Sequence, residues 1–244
     1  MKVLIVTVAG MSSRFSKSVG TPTIKCIYHK KSIKESLLYT MLSQSGCFDK
    51  FIIVGGYKYA ELKQVIDENF GEFSEKIIMA ENLHYEDYGS GYSLYIGLQK
   101  AIEVGADDIV FAEGDLFLDR EDYIAVCNSQ QSIITINQEP ILARKAVALY
   151  VDEYEVIHYI YDTSHKALII DEPFLAIYNS GQVWKFADKN IVRKVYESIT
   201  DREWQGTNLV FVEKYFQSIS RNDYGFMTFR KWINCNTIDD FNMI

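Results

Sequence analysis

Three short stretches of the 244-residue sequence carry residue types that could act on a phosphate ester. The first is Ala9-Gly10-Met11-Ser12-Ser13-Arg14-Phe15, followed by Lys25. Small residues let backbone N–H groups approach a phosphate chain, and Arg14 and Lys25 supply charge that does not depend on the backbone. The same loop could equally be plain surface. It is neither the dinucleotide fingerprint G-x-G-x-x-G nor the Walker loop G-x-x-x-x-G-K-[ST]. The second stretch is Gly114-Asp115, after an apolar run. A carboxylate there can hold Mg²⁺, which keeps several waters and is usually shared with substrate phosphates; it can also serve as a turn or cap residue. The third is Ile233-Asn234-Cys235-Asn236-Thr237-Ile238-Asp239-Asp240. Here Asn236 either completes a metal shell or caps the last helix.

Charge supports an anionic ligand near the first stretch. The chain has a net charge of −8, yet residues 1–34 hold seven basic residues and no acid. An acidic protein with a local positive segment suits a small anion rather than nucleic acid. Cys26, Cys47, Cys127 and Cys235 are scattered, with no CxxC and no histidine at zinc spacing, and no secretory signal is evident. They read as reduced thiols in a cytoplasmic protein. No apolar run reaches the ~18 residues that span a bilayer.

The elements that must position these stretches alternate. Lys2–Ala9 is a continuous β-branched run, as in a strand buried on both faces. Gly10–Cys26 reads as a long loop, and Ser32–Glu35 as a capping box that opens a helix to Gln44. Strands are expected at Phe51–Val54, Lys76–Ala80, Asp108–Ala112 and Ile133–Ile136. Helices are expected at Tyr57–Asn69 and Ser90–Val104, and after Asp119 and Asp122. This alternation predicts an α/β fold with a mainly parallel, Rossmann-like sheet flanked by helices. Beyond Pro140 the pattern changes to short strands at Ala146–Val151, Glu155–Tyr161 and Ala167–Ile170, then helices at Val183–Ile199 and Thr207–Ser218. Phe229–Cys235 returns to a strand pattern. We expect one domain, with 1–139 and 229–244 as core and 140–228 as a smaller mixed lobe.

In open parallel sheets ligands sit at the carboxyl ends of the strands. Taken together, the three stretches resemble the nucleotide-diphospho-sugar (sugar-nucleotidyltransferase-like) superfamily. Its usual opening is A-A-G-x-G-[ST]-R followed by P-K; here Val8-Ala9, Ser12 and Thr23-Ile24-Lys25 stand at the variant positions. Within it, Asn82-Leu-His-Tyr85 followed by Tyr88-Gly-Ser-Gly-Tyr-Ser-Leu-Tyr95 is similar to a segment of the CTP:phosphocholine-type cytidylyltransferases of bacterial surface-glycan synthesis. The same residues could also form a plain helix start, with Ser90 or Ser93 capping.

The resemblance implies a Mg²⁺-dependent cytidylyltransferase, which passes CMP from CTP to a small phosphorylated acceptor and releases pyrophosphate. The acceptor would be phosphocholine-like, or the phosphoglutamine of capsule phosphoramidate synthesis. Lys25, Arg14 and Asp115 would be catalytic. Val8, Ala9, Gly10, Met11, Ser12, Ser13, Arg14, Lys25, Tyr88, Gly89, Ser90, Ser93 and Gly114 would bind the nucleotide, and Asp115 with Asn236 would hold the metal. Arg144, Lys145, Glu172 and Tyr178 are acceptor candidates in the 140–228 stretch, which also offers Tyr150, Tyr159, Tyr161 and Trp184 for an aromatic cage around an amine. A homo-oligomer is compatible with the sequence. Two other readings remain: a uridylyl- or guanylyltransferase acting on a sugar phosphate, and a non-catalytic nucleotide-binding domain. A dinucleotide-dependent oxidoreductase fails on the absent glycine fingerprint.

Overall fold

The computed structural model describes residues 1–143, 147–160 and 166–244. Its first strand, β1 (Lys2–Val8), is the β-branched run expected, and Val3, Leu4, Ile5 and Val6 have no exposed surface. It pairs in parallel with β2 (Lys50–Gly55) on one side and with β4 (Asp108–Glu113) on the other, and β3 (Ile77–Glu81) pairs in parallel with β2. Between these strands lie α1 (Ser13–Val19), α2 (Leu37–Ser43), α3 (Tyr59–Asn69) and α4 (Ser90–Glu103). After β4 come β5 (Leu116–Leu118), α5 (Arg120–Asn128) and β6 (Ser132–Asn137). The Asp119 carboxylate caps α5 by accepting hydrogen bonds from the N–H groups of Glu121 and Asp122, as the acidic first turn predicted.

The later chain departs from expectation. β7 (Ala148–Asp152) and β8 (Ile157–Tyr159) form a hairpin, but 167–170 is not a strand. The long β9 (Phe174–Phe186) occupies 183–186, where a helix was expected to begin. It pairs antiparallel with both β4 and β6 and so threads the middle of the sheet. A strand buried on both faces has no period-2 alternation, so Val183, Trp184 and Phe186 carry a pattern that helix and strand share. The helix begins only at α6 (Lys189–Ser198), after Asp188, whose side chain caps it. α7 (Asp201–Trp204), α8 (Leu209–Gln217) and β10 (Tyr224–Phe229) follow. The expected strand 229–235 is split: β10 ends at Phe229, and β11 (Trp232–Asn234) forms a separate ribbon with β5. A last helix, α9 (Ile238–Asn242), is capped by Thr237 in a capping box with Asp240.

The sheet order is therefore β10-β6-β9-β4-β1-β2-β3, parallel except where β9 is inserted, with the β7–β8 hairpin on the outer part of β9. Two apolar cores cover its faces. One holds Leu94, Leu98, Trp184, Phe186, Phe211 and Tyr215, beneath α4, α6 and α8. The other holds Leu38, Leu42, Leu62, Ile66, Tyr123 and Val126, beneath α2, α3 and α5. The 140–228 stretch supplies β9 and β10 to the main sheet as well as the hairpin, so the sheet does not divide at residue 140.

Two local corrections bear on the site. The stretch 10–26 is not all loop: it contains α1, which Phe15 anchors by packing its ring against Tyr28 and Phe241 at 5.1 and 6.4 Å. Ser32 does not open the helix that follows; it caps a short 3₁₀ turn, and Ser36 caps α2 through the N–H of Tyr39.

Candidate active site

Strand β4 ends at Glu113, and the chain crosses Gly114 to Asp115 at the carboxyl end of the parallel strands. That crossing has no room for a side chain: a Cβ on Gly114 would lie 2.2 Å from Cγ1 of Val8 and 3.1 Å from the carbonyl oxygen of Thr7. Asp115 is thereby pressed against the end of β1. Its Oδ2 accepts a hydrogen bond from Lys25 Nζ at 2.7 Å, with the side chains 14% (Lys25) and 24% (Asp115) exposed. Its Oδ1 is buried and has no partner among the described residues.

Lys25 reaches this point because the loop after β1 folds back. Ser12 adopts a left-handed backbone (φ 54°), and its hydroxyl accepts a hydrogen bond from the N–H of Lys25 at 3.4 Å. The neighbouring thiols of Cys26 and Cys235 are each pushed up to about 12, by burial first, so both stay protonated and neither is a nucleophile.

A cleft of about 250 Å³ opens over this pair. Val8, Ala9, Gly10, Ser12, Lys25, Gly114 and Asp115 line it on one side, and Tyr88, Gly89, Ser90 and Ser93 on the other. Residues of three separate stretches that the sequence marks as nucleotide-binding or catalytic thus meet around one cavity. Met11 lies on the same loop and Ser13 and Arg14 in the first turn of α1, all three outside the lining, with Arg14 exposed and free of any ion pair among the described residues.

The far wall is held by close packing. Gly89 N–H donates to the carbonyl of Gln205, and a Cβ on Gly89 would sit 2.2 Å from the carbonyl oxygen of Gly206. Ser90 does not cap α4: Gly89 stands at the cap position, and the Ser90 hydroxyl accepts instead from the N–H of Asn208 at 3.1 Å. Ser93 accepts from Asn82 Nδ2 at 2.9 Å, and the His84 ring stacks on Tyr88 at 4.4 Å.

The backbone ties the segment of Asn236 to Asp115, but Asn236 does not line the cleft. The N–H of Cys235 donates to the Asp115 carbonyl at 2.9 Å, while the Asn236 amide donates to Asn234 Oδ1 at 2.9 Å. The cap of α9 is Thr237, not Asn236. Among the described residues no group of three His, Cys, Asp or Glu side chains is spaced to hold a metal. The donors that are present, the Asp115 carboxylate with its orphan oxygen and the Asn236 amide, are hard oxygens. They fit Mg²⁺, which needs only one or two protein ligands.

The remaining sequence candidates fall elsewhere. Glu172 is exposed and accepts a hydrogen bond from the Tyr150 hydroxyl; Tyr178 packs its ring against Phe226 at 5.2 Å. Neither lines the cleft. Tyr159 and Trp184 are buried and hydrogen-bonded to each other, which removes them from any amine cage. Arg144, Lys145 and Tyr161 lie outside the described residues.

Glu113 also lines the cleft and is not among the sequence candidates. Glu113 accepts from Asn208 Nδ2 at 2.9 Å and faces the cleft beside Asp115. Burial and then the Asp115 charge raise its carboxyl from 4.5 to about 7. An acid directly before Gly-Asp is visible in the sequence, but Asn208, which holds it, is 95 residues away.

Three of the solved structures that share this fold illustrate it. The inositol-1-phosphate CTP transferase from T. maritima superposes with a TM-score of 0.67 at 15% identity, covering 98% of this chain and 91% of its own. A Bacillus anthracis protein assigned as a glucose-1-phosphate thymidylyltransferase, in complex with a sucrose, gives 0.67 at 14%, covering 100% and 93%. The CTP:phosphocholine cytidylyltransferase from Streptococcus pneumoniae gives 0.64 at 15%, covering 99% and 96%. At such identities the likeness concerns the fold, which is that of the nucleotide-diphospho-sugar transferases. A comparison with curated proteins finds no match. The family described as Domain of unknown function (DUF6564) matches residues 21–244, and the chain belongs to that family.

Proposed function

We propose that the protein is a nucleotidyltransferase that transfers CMP from CTP to a small phosphorylated metabolite and releases pyrophosphate. The observation that carries this reading is the Lys25–Asp115 pair at the head of the cleft. It places one cation and one carboxylate with a free oxygen where three loops converge at the carboxyl end of the sheet. The fold shared with three proteins named as nucleotidyltransferases supports the reaction class, and two of those names specify CTP.

Such a transfer needs no protein nucleophile. An acceptor phosphate oxygen attacks the α-phosphorus in line, that P–O bond forms, and the bond to the β-phosphate oxygen breaks. The protein positions the two reactants and neutralises the developing charge. The 10–13 loop offers backbone N–H groups to the β- and γ-phosphates, and Arg14 closes on them from its exposed position. Lys25, released from Asp115 when phosphate enters, stabilises charge at the α-phosphate and the leaving pyrophosphate. Tyr88, Gly89 and Ser90 lie against the base and ribose. Asp115 and Asn236 would hold Mg²⁺, which supplies charge neutralisation between the donor and acceptor phosphates.

For the acceptor, phosphocholine-like compounds and phosphoglutamine stand together. The thymidylyltransferase among the fold neighbours favours a second reading, in which another nucleotide is passed to a sugar phosphate. Pyrophosphate release with CTP, UTP, GTP and dTTP, each against phosphocholine, glutamine phosphate, inositol phosphate and glucose 1-phosphate, decides between them. Release confined to CTP with a non-sugar acceptor is the expected result. Release only with UTP, GTP or dTTP and a sugar phosphate establishes the second reading, and release with no pair overturns the enzymatic one.

A further inference from the structure

Far from the cleft, at the amino ends of β1 and β4, four groups converge. Lys185 has no exposed side-chain surface; its Nζ donates to Asp108 Oδ2 at 2.6 Å and to the Cys127 carbonyl at 3.2 Å. Lys2 Nζ also donates to the Cys127 carbonyl and lies 3.9 Å from Asp108 Oδ2. Two lysines therefore face a single carboxylate, which leaves one positive charge in a partly closed site.

The loop before β2 brings a thiol to that charge. Ser45 fixes the loop by a 2.9 Å hydrogen bond to Tyr123 of α5, and Cys47, two residues on, meets Cys127 one helical turn beyond Tyr123. The two cysteine side chains lie close together, with Cys47 exposed and Cys127 fully buried. We propose that Cys47 and Cys127 are an oxidant-sensitive thiol pair, in which hydrogen peroxide oxidises Cys47 and Cys127 then closes an intramolecular disulfide.

The surroundings suit that chemistry. The Cys127 hydrogen bond is the largest cause that lowers the Cys47 thiol, from 9.0 to about 6; the charges of Lys2 and Lys185 add to it, and burial opposes it. Cys127 is pushed strongly up by the same hydrogen bond and by burial. Tyr123, the other titratable group facing the pair, is raised by burial and stays protonated. Cys47, the exposed member that a peroxide can reach, is the nucleophile, and the buried Cys127 is the resolving thiol. In the first step the Cys47 thiolate attacks the peroxide, the O–O bond breaks, and with one proton water leaves, so that Cys47 becomes a sulfenic acid. In the second step the Cys127 sulfur attacks that sulfur, an S–S bond forms, the S–O bond breaks, and the Cys127 proton leaves with hydroxide as a second water. Peroxide is reduced by two electrons, which the two thiols supply. The pair is separate from the cleft and independent of the nucleotidyl-transfer reading.

The test exposes the reduced full-length chain to stoichiometric hydrogen peroxide at pH 7, followed by peptide mapping. The expected result is a mass loss of about 2 Da with a linked peptide joining Cys47 to Cys127. Cys127→Ser should instead accumulate a dimedone-reactive sulfenic acid at Cys47, and Cys47→Ser should leave Cys127 reduced. Iodoacetamide alkylation of Cys47 should rise with a midpoint at about 6. Oxidation of Cys47 in the wild type without the linked peptide, first oxidation at Cys26 or Cys235, or an alkylation midpoint near an ordinary thiol's ~8.5 overturns the proposal. If Cys127→Ser does not fold, the wild-type peptide map and the Cys47→Ser variant decide it.

Discussion

Strand β4 carries a lysine–aspartate pair at each end, and the two pairs are chemically alike. At its amino end Lys185 meets Asp108 at 2.6 Å; past its carboxyl end Lys25 meets Asp115 at 2.7 Å. Each aspartate keeps one buried oxygen without a partner among the described residues. An orphan oxygen therefore does not by itself mark a ligand site. What differs is the other group on the lysine and the space in front. Lys185 is fully enclosed and also bound to the Cys127 carbonyl, and burial is the largest influence on its ammonium, lowering it, while Asp108 opposes that effect. Lys25 lines an open cleft ringed by small residues and holds Asp115 across it. The first pair is a clamp that holds the sheet; the second is free to exchange its partner for a phosphate.

Substitutions at the two pairs should separate activity from stability. Lys25→Ala and Asp115→Ala should each lower nucleotidyl transfer by on the order of 10³-fold or more, with melting temperature little changed. Lys185→Ala should do the reverse. It removes the closer of the two lysines on Asp108 and a donor to the Cys127 carbonyl, with Lys2 still 3.9 Å from Asp108, at a cost of about 1–3 kcal/mol, seen as a lower denaturation midpoint, while turnover per folded molecule is kept.

Gly114→Ala tests how tightly the cleft end is built. The added methyl meets Val8 at 2.2 Å, and relief of that clash should cost about 1–3 kcal/mol. It should also displace Asp115, so activity falls with stability.

Glu113→Gln addresses protonation at the cleft. Its carboxyl is raised from 4.5 to about 7 in the folded chain. The stability it contributes is complete below the unfolded value and is lost as pH rises through the folded one. The glutamine variant does not titrate and keeps the acceptor for Asn208. It should therefore be the more stable protein at pH 8, by roughly 1–3 kcal/mol, and match wild type near pH 4. Thermal melts across that range measure the difference; a gap that is constant with pH would contradict it. The smallest effect belongs to Arg14→Ala, which should weaken CTP binding by about tenfold, or ~1.4 kcal/mol, more at low salt than at high salt, without moving the melting temperature.

The carboxyl-end pair is legible in the sequence and the amino-end pair is not. Lys25 and Asp115 stand in stretches where glycine and small residues gather at strand ends, and such gathering has a chemical meaning that residue type and spacing alone convey. Lys185 lies in a run whose pattern predicts the start of a helix. Its true setting depends on β9 entering between β4 and β6, a long-range pairing that no local period announces. For the same reason the local pattern of the 140–228 stretch, read as a smaller mixed lobe of one domain, does not announce that it supplies a central strand. Glu113 is visible in the sequence but carries no role there, since its meaning comes from Asn208 at the start of α8. The acceptor candidates Glu172 and Tyr178 rest on residue type alone, and the structure places them away from the cleft.

The most direct test of the central claim is calorimetric titration of CTP, in the presence of Mg²⁺, into wild type, Asp115→Asn and Lys185→Met. Wild type and the Lys185 variant should bind CTP alike, and Asp115→Asn should bind at least about tenfold more weakly, or ~1.4 kcal/mol. Equal binding by all three, or loss only in the Lys185 variant, would contradict the assignment of the cleft at the carboxyl end of β4 as the nucleotide site.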